Sequence, residues 1–150
     1  MPTYAVNKKA TFDYEILDTF EAGLVLTGQE VKSIRGKHIN LKGSFVSFHN
    51  NEAFLNNAHI SKYKFDGITK DYDPDKARKL LLSKKEIDLL RGKTMEKGLT
   101  VVALSVYTRG SKIKVKIGIA KGKKKHDKRK SIKDRENKKD MDRAVKGSYE

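Results

Sequence analysis

The residue types most often recruited for chemistry are few in this chain and badly spaced for it. There is no cysteine, which excludes thiolate metal sites, a cysteine nucleophile and a disulfide scaffold. His38, His49, His59 and His126 lie far apart, without the i, i+4 spacing that turns two imidazoles toward one metal on a helix face. Gly92-Lys93-Thr94 matches the end of a phosphate-binding loop, but Ile87 stands where that loop's first glycine belongs. The triplet also follows a predicted helix, whereas such a loop must precede one so that free N–H groups face the anion. The pairs Asp71/Asp73 and Asp73/Asp75 flank Pro74 and read as loop chemistry, not as a general acid and base. An enzyme is not expected, and neither is a cofactor or a metal. What remains is charge: 34 Lys plus Arg against 19 Asp plus Glu, a formal net charge of +15. A chain so basic is suited to holding a polyanion.

The charge is unevenly spread. Between Lys121 and Glu150 there are 13 basic and 6 acidic side chains, and the sizeable apolar ones are only Ile132, Met141, Val145 and Tyr149. That is too little to offset the entropy of ordering the segment alone. We therefore divide the 150 residues into a folded body, residues 1–122, and a basic tail, residues 123–150, whose ordering needs a partner. The tail is rich in helix formers and has no proline, so residues 125–146 could form a helix roughly 33 Å long at about 1.5 Å per residue. No apolar run approaches the roughly 20 residues that span a bilayer, and the start lacks a signal peptide's apolar stretch. A cytoplasmic location without membrane contact is expected.

Within the body, Thr11 to Leu17 alternates, with Phe12, Tyr14 and Ile16 on one face, and predicts a strand. Thr27 with Glu30, and Ser83 with Glu86, each have the spacing of a capping box. In that motif side chains and backbone N–H groups at a helix start satisfy each other. Two short helices follow, ending at Gly36 and Gly92. Gly43 to Phe48 and Ala53 to Ile60 read as a hairpin around His49-Asn50-Asn51-Glu52. Leu99 to Tyr107, a turn at Thr108-Arg109-Gly110-Ser111, and Lys112 to Ala120 make a second hairpin. Strict alternation sends Ile113, Val115, Ile117 and Ile119 inward and leaves Lys112, Lys114 and Lys116 on the solvated face. Antiparallel strands with two short helices predict a mainly β fold, a small barrel with flanking helices.

Several stretches occur together and in order: Asn7-Lys8-Lys9-Ala10, Phe20-Glu21-Ala22-Gly23, Gly28-Gln29-Glu30-Val31-Lys32-Ser33-Ile34-Arg35, Arg78-Lys79-Leu80-Leu81-Leu82, Val101-Val102-Ala103-Leu104, and Lys114 to Lys124 followed by His126-Asp127-Lys128-Arg129. Over residues 5–136 this resembles the SmpB family, the SsrA-binding (tmRNA-binding) proteins of bacteria. The resemblance implies an oligonucleotide-binding-like (OB-like) antiparallel barrel that binds the tRNA-like domain of tmRNA and delivers it to stalled ribosomes in trans-translation. A monomer that makes no covalent bond is expected. The tmRNA-binding positions carried over, or placed with them, are Asn7, Glu21, Lys32, Arg35, Leu81, Lys121, Lys123 and Lys124. The tail, disordered when free and helical on the ribosome, would enter the 16S rRNA decoding centre and the empty mRNA path through His126, Asp127, Lys128, Arg129, Lys133 and Arg135. The match departs from the family at Phe12, where some relatives carry His, and weakens beyond Glu136.

The residues also admit plainer readings. Asn7 could be a turn side chain. Glu21 could hold a bend by accepting backbone N–H groups, or face RNA if donors neutralise it. Leu81, in an aliphatic run, reads as core, and Phe12, Tyr14, Phe45 and Phe48 read as core residues too. A small basic ribosomal protein or assembly factor, or a non-specific single-stranded nucleic-acid binder, would share the composition.

Overall fold

The computed structural model describes residues 2–63 and 71–123. In chain order the elements are β1 (Thr3–Val6), α1 (Lys8–Asp13), β2 (Tyr14–Leu24), α2 (Gly28–Arg35), β3 (Ile39–Asn40), β4 (Phe45–His49), β5 (Glu52–Asn56), β6 (His59–Ile60), β7 (Arg78–Leu81), α3 (Lys84–Thr94), β8 (Leu99–Arg109) and β9 (Lys112–Gly122). Seven strands form one antiparallel sheet in the order β1-β8-β9-β2-β7-β5-β4, and β3 pairs with β6 in a separate ribbon. The fold is mainly β, as predicted. The sheet curls like an incomplete barrel, bringing β4, at one edge, against β8, next to the other edge.

The curl has a local cause. β2 and β8 each contain a register shift, between Ile16 and Asp18 and between Ala103 and Ser105, and an extra residue in one strand bends it and increases its twist. Gly118 of β9 is paired with Thr19 on one side and Val102 on the other, between the two bulges. A Cβ there would come within 3.0 Å of both Ile16 Cγ2 and Leu104 Cδ1. Glycine there leaves room for the Ile16 and Leu104 side chains to pack over the sheet, and a larger residue would have to push them aside.

The second hairpin behaves as its alternation predicts. Ile113, Val115, Ile117 and Ile119 are buried in one cluster with Leu55, Leu80, Val101 and Val106, closed by Ile34 of α2 and Leu90 of α3. The opposite face of the same strands is divided. Toward one end α1 covers it, packing Ala10 on Val102 and Ala120; toward the other, Lys112 and Lys116 are exposed and Lys114 half-buried.

Both capping boxes form with both hydrogen bonds in place. α2 ends at Gly36 as expected. α3 passes through Gly92 and is capped by Met95, so the glycine sits inside the helix at a cost of about 1 kcal/mol. The first hairpin turns on Asn50 and Asn51, both with positive φ, the geometry of a two-residue type I′ turn. Its second strand stops at Asn56, because Asn57 also has a positive φ and leaves the sheet before His59 and Ile60 join β3.

The expected strand from Thr11 is the main local correction. Residues 8–13 are helical, and β2 begins at Tyr14. Asn7 decides this by capping the helix: its Oδ1 accepts from the Ala10 N–H at 3.2 Å, an interaction that outweighs the alternating pattern.

Glu30 has a second role beyond its capping box. Its Oε2 accepts from Arg78 Nε at 2.8 Å, with both side chains almost completely buried. Arg78 also donates to Ala58 O and to the Tyr72 hydroxyl, which donates onward to Ile60 O. The buried pair, surrounded by hydrogen bonds as buried charges require, ties α2 to β7.

Candidate nucleic-acid interface

The antiparallel register lines up side chains on the outer face of the sheet. One row runs Leu81, Gly23, Lys114, Tyr107 and Thr3 across β7, β2, β9, β8 and β1. The next runs Glu21, Lys116, Ser105 and Val6. The predicted site residues Glu21 and Leu81 thus share one face, Leu81 of β7 standing opposite Gly23, two residues along β2 from Glu21.

Glu21 is partnered by side chains, not by the backbone N–H groups that a bend would supply. Its Oε2 accepts from the Tyr107 hydroxyl at 2.5 Å and from Arg109 Nε at 3.0 Å. The Tyr107 hydrogen bond is the main influence holding the Glu21 carboxyl below its ordinary value; desolvation opposes it and the Arg109 charge assists. Burial and the same hydrogen bond push the Tyr107 hydroxyl up to about 12. The carboxylate is therefore charged, and a cation stands directly on it. Around this pair runs a groove of about 520 Å³, lined also by Thr3, Thr19, Ser105 and Lys116.

Leu81 is 55% exposed, against the expectation of a core residue. The burial along β7 alternates, with Arg78 and Leu80 inside and Lys79 and Leu81 outside. A Cβ on Gly23 would meet the Leu81 side chain at 3.2 Å, so the glycine leaves Leu81 room to lie flat on the sheet. Leu81 and Arg35 line one hollow of about 260 Å³ together with Lys112 and Lys114. Lys32, one turn before Arg35, holds its ammonium 5.3 Å from the centre of the Tyr63 ring.

Asn7 stands apart from these residues in kind. It is 5% exposed, and its Nδ2 donates to Leu41 O at 3.1 Å and to Ala103 O at 2.9 Å. With Oδ1 on Ala10 N, its side chain is fully engaged inside the protein. Lys121 is exposed and paired with Glu15, roughly 16 Å along β9 from Lys116 at about 3.3 Å per residue. Lys123 closes the end of β9 against α1, its backbone N–H donating to Asp13 O and its Nζ to Thr11 O. Lys124, His126, Asp127, Lys128, Arg129, Lys133 and Arg135 lie outside the described residues.

Tyr107 and Arg109 escaped the sequence reading because it ended the strand at Tyr107 and placed Arg109 in the turn. Extending the period-2 pattern two residues further puts Ser105, Tyr107 and Arg109 on one face, a signal that was present. A third hollow, about 580 Å³, is lined by Lys9, Tyr14, Lys42, Ser44 and Phe45. Phe45 is 40% exposed there, and Phe12, Tyr14 and Phe48 are only partly buried, so none of the four is wholly a core residue.

A curled antiparallel sheet whose outer face carries Lys, Arg and hydroxyl groups defines a small cationic β-barrel-type binding domain. Comparison with known proteins makes this specific. The family model described as "SmpB protein" matches residues 4–147. The SsrA-binding protein of Acaryochloris marina is 53% identical over 144 residues, covering 96% of this chain and 94% of its own. That of Shouchella clausii is 51% identical over 142 residues, covering 95% and 90%. A solved chain from "tmRNA-SmpB: a journey to the center of the bacterial ribosome" superposes with a TM-score of 0.69 at 44% identity, covering 83% of this chain and 87% of its own. The chain belongs to the SmpB protein family.

Proposed function

We propose that this protein is the tmRNA-binding adaptor of trans-translation: it binds the tRNA-like domain of tmRNA and carries it to stalled ribosomes, making no covalent bond itself. The observation that carries this reading is the family match over residues 4–147, and the tmRNA-SmpB ribosome study that yielded the structural neighbour points to the same partners. The outer face with Glu21, Leu81, Arg35, Lys112, Lys114 and Lys116 is the RNA-facing surface of the body. Lysines and arginines there would track phosphates, while hydroxyl groups could meet ribose 2′-OH groups of an unpaired loop. Asn7 serves the same surface from beneath, by fixing β1 and α1. Residues 1–122 form the RNA-binding body, and residues 123–150 the basic tail that takes the place of mRNA in the decoding centre, with His126, Lys128, Arg129, Lys133 and Arg135 meeting rRNA. The setting is the bacterial cytoplasm, where translation takes place.

A reconstituted translation reaction stalled on an mRNA without a stop codon tests the reading. Tagging of the stalled peptide by alanyl-tmRNA should require this protein. A variant ending at Gly122 should still bind the tRNA-like domain but fail to support tagging. Tagging at full rate without the protein would contradict the adaptor role, and tagging by the shortened variant would contradict the role of the tail.

A further inference from the structure

Glu21 poses a physical problem. A free carboxylate on the face meant for a polyanion repels its ligand, yet this one stands opposite Lys116, with Lys114 two residues further along opposite Gly23, and is joined by two donors. Both donors share a single oxygen, Oε2. Arg109 uses its Nε for this bond. Among the described residues its terminal nitrogens, Nη1 and Nη2, have no hydrogen-bond partner, and the side chain is 60% exposed. A guanidinium anchored at Nε is restricted in the directions its planar fork can take, and the Nη1/Nη2 edge is the one suited to bidentate contact with a phosphate. Hydroxyl groups of Thr3, Thr19 and Ser105 line the same groove, the chemistry that suits a ribose-phosphate backbone.

We propose that Glu21 is a positioning residue: it holds Arg109 so that the free edge of the guanidinium grips a phosphodiester of the bound RNA in the groove between β1 and β2. This rests on the reading of the outer face as the binding surface for the tRNA-like domain of tmRNA.

Generic electrostatics and positioning predict opposite signs. Removing a negative charge from a polyanion-binding face should tighten binding if only net charge matters. If Glu21 acts through Arg109, its loss weakens binding. The experiment measures dissociation constants of the full chain for the tRNA-like domain over a series of salt concentrations, for Glu21→Ala, Arg109→Ala, the double variant and Glu21→Gln. Glu21→Ala and Arg109→Ala should each weaken binding roughly tenfold. Each should also lower the slope of log affinity against log salt by about 0.7, the loss of one phosphate contact. The double variant should be no weaker than Arg109→Ala alone. Glu21→Gln, which keeps an acceptor oxygen at the same reach, should recover most of the affinity; a merely charged role would not be rescued in this way. Losses that add in the double variant would overturn the inference and leave Glu21 as a direct RNA contact, with the outer face still the interface. Tighter binding by Glu21→Ala would likewise overturn it. Unchanged affinity in every variant would remove both the inference and the outer face as the binding surface.

Discussion

Asn7 and Leu81 exchange the places that residue chemistry suggests. An asparagine before a helix is usually a surface cap, but here its amide bridges Leu41 and Ala103 carbonyls under α1. Replacing it takes this partner from the Ala103 carbonyl and the Ala10 N–H and leaves the Leu41 carbonyl with the Ser44 N–H alone, a cost of about 2–3 kcal/mol. Asn7→Ala should therefore lower the melting temperature by several degrees in a thermal melt. It should weaken RNA binding as a consequence of displacing β1 and α1, and an unchanged melting temperature would refute the structural role. Leu81 should behave in the opposite way. Its side chain is more than half exposed, so Leu81→Ala is expected to change stability by only about 0.5 kcal/mol while lowering affinity for the tRNA-like domain several-fold. The sequence could not easily distinguish the two sides of β7, because Leu80 and Leu81 are the same residue type and only the register against Gly23 and Leu24 separates inside from outside.

Among the elements, those specified by neighbouring residues were legible and those specified at a distance were not. Each capping box is a reciprocal pair three residues apart, and the β9 alternation declares its buried face within a single strand. By contrast, α1 depends on Asn7 reaching residues of β8 and the segment before β4, and the partner of Glu30 is 48 residues away. That difference is measurable. Glu30 and Glu86 occupy the same position in the two boxes, yet only Glu30 is buried against an arginine. Glu86→Ala should cost about 0.5–1 kcal/mol, whereas Glu30→Ala, which strands Arg78 as an unpaired buried charge, should cost about 3–5 kcal/mol in a urea titration. Glu30 also gives stability a pH dependence. Burial raises its pKa, but the Thr27 N–H and Arg78 lower it further, leaving it below the ordinary 4.5. A carboxyl whose folded-state pKa is depressed stabilises the protein above its unfolded value, and that contribution is lost as pH falls from about 4.5 through the folded-state value. Stability of the wild type should decline in that range, and Glu30→Gln should show a flatter profile.

At the scale of the whole molecule, charge alone would make the protein a binder of any RNA, since basic side chains are plentiful in both the body and the tail. Under the proposed function, the outer face, with an exposed leucine, an anchored Glu21–Arg109 pair and a groove lined by Thr and Ser residues, would provide what charge cannot: a fixed shape for a folded RNA to match. The two contributions respond differently to salt, because counterion release weakens steeply as salt rises while shape and hydrogen bonding do not. The most direct measurement is the affinity of the full chain for the tRNA-like domain of tmRNA and for an unstructured RNA of equal length, at physiological and at doubled salt. A strong preference for the tRNA-like domain that survives the added salt is expected. Equal affinities that fall together would contradict the adaptor function and leave a non-specific polyanion binder.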